Sequence, residues 1–156
     1  MPRLSRNMKI FIAVTALAAI GTSAVLAHKG AQGIIKQRMM AMKSMGENMK
    51  ELSLMVTGKR SFDAARTKDI AVTLKKHADA IPKQFPKNSM QKPTEALPVI
   101  WDRWDEFNDR ATRLVELAGE LQNAATTGKA QSRATFAKIG KTCSGCHDVF
   151  RLKKDK

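Results

Sequence analysis

The chain has 156 residues and a formal charge of +14, with 28 lysines and arginines against 14 acidic residues. So basic a protein first suggests nucleic acid, but no aromatic–basic recognition pattern accompanies the charge and the N-terminus reads as an export signal. What remains is a basic surface that steers an acidic protein partner or meets an anionic membrane face.

Arg3, Arg6 and Lys9 form a positive leader, Ile10 to Leu26 is mostly apolar and small, and Val25-Leu26-Ala27 offers an A-x-A-like cleavage site. The run is about as long as a short membrane span, but Thr15, Gly21, Thr22 and Ser23 interrupt it and no stop-transfer pattern follows. A cleaved signal peptide over 1–27 is expected. Maturation then starts at His28, leaving one domain over 28–156. Cleavage removes positive charge and no acid, so the mature chain stays strongly basic.

Gly, Pro and turn residues divide that domain into four predicted helices. The first runs from about Gln32 to Thr57 and stops at Gly58, with Ile35, Met42, Met45, Met49, Leu52 and Val56 near a three–four stagger. Six of the nine methionines fall in it, and flexible thioethers are good core fillers. The second starts at Ser61 as N-cap, places Ile70, Leu74, His77 and Ile81 on one face, and ends at Pro82. His77 on that stripe reads as a core histidine satisfied by a neighbour, and His28 as solvated.

Pro82, Pro86, Pro93 and Pro98 make a connection that is long for a bundle. The third helix starts near Pro98. It carries the strongest periodic signal in the chain, from Leu97, Ile100, Trp104, Phe107, Ala111 and Leu114 through Ala118, Leu121 and Ala125. Gly128 closes it. The fourth runs from about Lys129 to Leu152, with Phe136, Ile139, Cys143, Cys146 and Phe150 on one stripe. The expected fold is all-α, an antiparallel up-down-up-down four-helix bundle, whose cofactor sites lie between facing helices.

The only two cysteines stand in Cys143-Ser144-Gly145-Cys146-His147, the C-x-x-C-H pattern of covalent c-type haem attachment. Two thiols add across the porphyrin vinyl groups, and the adjacent imidazole is held at the iron as its axial ligand. In a helix these three residues share one face of one turn. A thiol–disulfide redox motif would want a βαβ setting, and a zinc site about four ligands. Neither is present. One haem c per chain is therefore expected.

An arginine and a methionine-rich face on the first helix, Ala96-Leu97-Pro98-Val99-Ile100-Trp101 before the third, and a last helix ending Cys143 to Arg151 in C-x-x-C-H-x-x-F-R resemble the class II c-type cytochromes, the cytochrome c-prime family. The resemblance covers the whole mature chain. It implies haem tied to the last helix, His147 as proximal ligand and the first helix across the distal face. In high-spin members of that family an apolar residue four after an arginine blocks the sixth iron position; in low-spin members a methionine there coordinates. The arginine here is Arg38 and the residue four on is Met42. The string from Met42 to Met49 is more similar to the low-spin subgroup, with Met39 and Met45 as fallback ligands one turn or less away.

The expectation drawn is a periplasmic one-electron carrier with His147 and Met42 on the iron, and not an enzyme, since no acid–base pair is evident. Arg38 could pair with a haem propionate, and Trp104 and Phe107 read as core that packs on the porphyrin edge. Arg151 suits the end of the last helix dipole and a basic docking surface for acidic redox partners. Residues 129–156 hold eight basic side chains against two acidic ones. In many family members the first two helices form a homodimer. The alternative expectation is a five-coordinate binder of nitric oxide or carbon monoxide, in which Met42 blocks the iron or is displaced from it.

Overall fold

The computed structural model describes residues 30–153. The signal peptide expected over 1–27, and His28 after it, lie outside the described residues. Four long helices account for most of what is described: α1 (Gly33–Val56), α2 (Ala64–Ala80), α4 (Trp104–Thr127) and α5 (Lys129–Phe150), with a one-turn α3 (Val99–Asp102) ahead of α4.

The ends of these helices follow from local chemistry. Beyond α1 the Gly58 N–H donates to Met55 O and the Arg60 N–H to Leu54 O, satisfying carbonyls that the last turn leaves open. α2 is capped by Asp63, not by Ser61 as the sequence suggested: the Asp63 carboxylate accepts from the Arg66 N–H at 2.9 Å. Both residues suit an N-cap, but only Asp63 directly precedes the first helical residue.

The predicted third helix is broken near its start. Arg103 leaves the helical region (φ −121, ψ 46) and separates α3 from α4. α3 follows the proline-rich connection, to which Trp101 is tied by its Nε1–H donating to Phe85 O at 3.1 Å. Gly128 (φ 126, ψ −173) reverses the chain between α4 and α5, a conformation open to residues without a Cβ.

The four long helices pack antiparallel as a bundle. Among the described residues there is no sheet, only an isolated antiparallel bridge between Ala96 and Arg151. α4 is the spine, packed extensively on α2 and on α5, while α1 closes the square more lightly against the same two helices. The centre is apolar: Leu52, Ile70, Leu74, Leu117, Leu121 and Ile139 are essentially inaccessible. Each such side chain contributes about 1.5–3 kcal/mol by leaving water. No helix of the described residues is long and apolar enough to cross a membrane.

One end of the bundle is tied by the chain itself. The Leu97 N–H donates to Phe150 O at 3.0 Å and the Leu152 N–H to Glu95 O at 2.7 Å. Arg151 adds Nε and Nη2 bonds to the Glu95 carboxylate at 2.9 and 2.6 Å. The last turn of α5 is therefore strapped to the segment that leads into α3.

Candidate haem-binding site

Cys143 and Cys146 sit one turn apart on α5, half-buried, and pack against the same apolar core that Met42 and Met49 of α1 border. α5 is helical to Phe150, so the whole motif is presented on one helix just ahead of the strap. Ser144 turns outward and bonds to Lys141 O. Gly145 lies under α4: a Cβ there would stand 3.0 Å from Arg110 Nη1. The guanidinium is held in place by Glu106, which accepts from Arg110 Nη2 at 2.6 Å and from Arg103 Nε at 2.8 Å.

The electrostatics bear on what the thiols can do. Burial pushes the Cys143 thiol up, and pushes Cys146 up to about 11 against the opposing charge of Arg110. Disulfide exchange needs a thiolate stabilised near neutral pH, so this environment does not suit a redox pair. The two thiols are not joined to each other. His147 is more than a third exposed, yet partial desolvation and then the Arg151 charge lower its pKa, against a smaller opposite pull from Asp148. The neutral imidazole needed by a metal ligand is thereby favoured.

Around this turn an aromatic cluster closes the end of the bundle. The Phe107 ring lies 4.9 Å from Phe85 and 5.2 Å from Phe150, both edge-on, and 5.7 Å from Trp104 in a stacked arrangement. Phe107 is core and Trp104 borders it, and through Phe150 both join the last turn of α5. Arg151, at the other edge of the turn, pairs with Glu95 at the surface.

Arg38 is the least expected feature. It is buried, with 4% of its surface exposed: it falls in the register of the core stripe between Ile35 and Met42, but its charge argues for a solvated place. Its Nη1 donates to Ser89 Oγ at 3.3 Å, its Nη2 donates to Ser89 O, and its charge lies 4.4 Å over the Phe85 ring. Among the described residues no carboxylate pairs with it, and its Nε has no partner. Burial lowers its pKa, because a cation taken out of water without an anion beside it is disfavoured.

His77 bonds across to Ser44 Oγ of α1 at 3.2 Å and belongs to the helix packing. Met45 is buried in the core, and Met39 is half-buried to one side. Ser89, Phe85 and Glu95 were missed from sequence. The unusual length of the proline-rich connection was the one signal that it did more than join two helices.

A comparison with known proteins now decides the family. The Cytochrome C′ family description matches residues 33–151. The chain belongs to the cytochrome c′ family.

It is 33% identical over 124 residues to the cytochrome c-556 of Agrobacterium fabrum, a match covering 80% of this chain and 84% of that one. Among solved structures, the cytochrome c′ of Rhodopseudomonas palustris superposes with a TM-score of 0.70 at 30% identity, over 80% of this chain and 100% of the other. A nitric oxide complex of a variant of cytochrome c′ from Alcaligenes xylosoxidans gives 0.70 at 26% identity, over 77% and 94%.

Family membership makes the protein a c-type cytochrome with covalently bound haem, and not an enzyme. It also corrects two expectations. The methionine-ligated low-spin subgroup, and with it the carrier having both His147 and Met42 on the iron, gives way to the cytochrome c′ type with histidine alone. The physical reason lies in α1. Met42, Met45 and Met49 all border one core, so the string that suggested a ligand is a packing face of flexible apolar side chains.

Proposed function

We infer that this protein is a periplasmic, five-coordinate haem c protein that binds a diatomic gas such as nitric oxide or carbon monoxide. The observation that carries the reading is that Cys143 and Cys146 of α5 and Met42 and Met49 of α1 border the same core, in a chain whose family is cytochrome c′. The residues fit one haem per chain. Cys143 and Cys146 would hold it by thioethers, His147 would supply the one protein ligand, and the unpaired Nε of Arg38 suits a propionate carboxylate.

The haem, when bound, would supply an iron able to take a small gas. The chain's own parts do the rest. The strap through Glu95 and Arg151 fixes the turn that carries His147. Met42, half-buried beside the core, would offer the bound group an apolar wall that excludes water. Export is supported by the features of residues 1–27.

Absorption spectra of the reduced protein with and without carbon monoxide test this. The expected result is a high-spin spectrum that changes on adding the gas. A low-spin spectrum indifferent to carbon monoxide would overturn the reading.

A further inference from the structure

The excess positive charge is not spread evenly: residues 129–156 carry much of it, but acids on neighbouring elements answer part of that share. On α5, Lys138 pairs with Glu120 at 3.2 Å and Arg151 with Glu95, and the α4–α5 groove sets Glu106 and Asp109 beside its cations. The last turns of α2 and the connection after it are different. Lys75, Lys76, Lys83, Lys87 and Lys92 are all exposed, with Asp79 as the one acid among them. Asp79 answers only Lys83, at 3.0 Å.

The same connection turns its other side inward, where Phe85 and Ser89 hold Arg38. One segment thus grips the buried cation and displays a lysine field to solvent. No exposed large apolar residue lies in the connection; among the described residues these are Met40, Val72 and Leu152. An interfacial membrane segment needs such residues, and single-stranded nucleic acid needs exposed aromatic stacking platforms. What remains is a field of like charge suited to steering an oppositely charged protein, with exposed Val72 at its edge one turn before Lys75 and Lys76.

We propose that the end of α2 and the α2–α3 connection form the docking surface for an acidic protein that delivers one electron to this haem. The proposal rests on the haem reading above. One electron leaves the donor's reduced cofactor and is taken up at the iron, ferric to ferrous, with no bond made or broken. The ferrous state is the one that carbon monoxide binds.

The test uses the haem-loaded full chain and a small acidic flavodoxin as donor. Lys83→Glu, Lys87→Glu and Lys92→Glu are combined in one variant. Lys59→Glu, Lys129→Glu and Arg133→Glu make a second with the same change in net charge at the opposite end of the bundle, where Lys129 Nζ approaches Gly58. At low ionic strength the first variant should be reduced about tenfold more slowly or worse, with its salt dependence flattened, because local charge steers encounter. The second should stay within about threefold of the parent.

Calorimetric affinity for oxidised flavodoxin should rank the proteins in the same order, independently of electron transfer. Equal losses in both variants, or none in the first, would overturn the docking surface. So would loss of binding to phosphatidylglycerol vesicles in the first variant with flavodoxin binding unchanged, which would assign the lysines to a membrane. A preparation without a haem spectrum contradicts the haem reading, whereas equal affinities in haem-loaded variants contradict this inference alone.

Discussion

α1 and α4 are helices of 24 residues each, yet they bury different kinds of surface. α4 hides an unbroken stripe from Phe107 to Ala125, leucine and alanine alternating against two neighbours. α1 hides Ile35, Ala41 and Met45, then skips to Leu52, leaving Met42 and Met49 half-covered, and it carries a buried arginine. One helix is packed against protein throughout. The other leaves part of its face half-covered, and under the haem reading that part would face the cofactor. In such a bundle the best-packed helix marks the scaffold, and the imperfectly packed one marks the site.

The largest effect that could break this contrast is removal of the haem. The Cys143→Ser, Cys146→Ser double variant should release haem completely to acid–acetone. Its amide hydrogen exchange should then rise along α1 well before it rises along α4. Equal loosening of both helices would deny that α1 depends on the cofactor.

Next come the cores themselves. Leu121→Ala, at a fully buried site in α4, should cost about 3 kcal/mol in denaturant unfolding. Met49→Ala in α1 should cost about 1 kcal/mol, because the side chain is only half-covered. Comparable costs would show that α1 is as fully packed as α4.

Smaller effects sharpen the picture at the edges. Glu95→Gln should cost less than about 1 kcal/mol, as partly exposed ion pairs do, while raising exchange of the Leu152 amide that the strap protects. Glu51 of α1 accepts from Arg66 of α2 at 2.6 and 3.1 Å. The Arg66 bond first, helped by the charges of Arg66 and Arg60, holds its carboxyl below the usual range against a desolvation that outweighs either charge alone. A carboxyl lowered on folding stabilises above its unfolded pKa and loses that contribution as pH falls through its folded value. Acid titration should therefore loosen α1 from α2, and Glu51→Gln should flatten that part of the profile.

How much of this was legible in the sequence follows the range of the interactions. Leu114, Ala118 and Leu121 announce α4 because a helical period is local. Cys143, Cys146 and His147 announce the cofactor because a covalent attachment site must be contiguous. Arg38 was visible as a residue but not as a buried one, since its partner Ser89 lies 51 residues on. Glu95 gave no signal, because its bond to Arg151 spans 56 residues and closes only in the folded bundle. The break at Arg103 was hidden by an apolar period that continues across it. Met42 was misassigned for a different reason: a thioether that coordinates and a thioether that packs occupy the same register and look alike in a string of letters.

The most direct test is therefore the spin state of the oxidised iron in the parent protein and in Met42→Ala, read by electron paramagnetic resonance. The account predicts a high-spin signal in both, with faster carbon monoxide uptake by the reduced variant once the wall is shortened. A low-spin parent that turns high-spin in Met42→Ala would make the methionine a ligand and contradict the account.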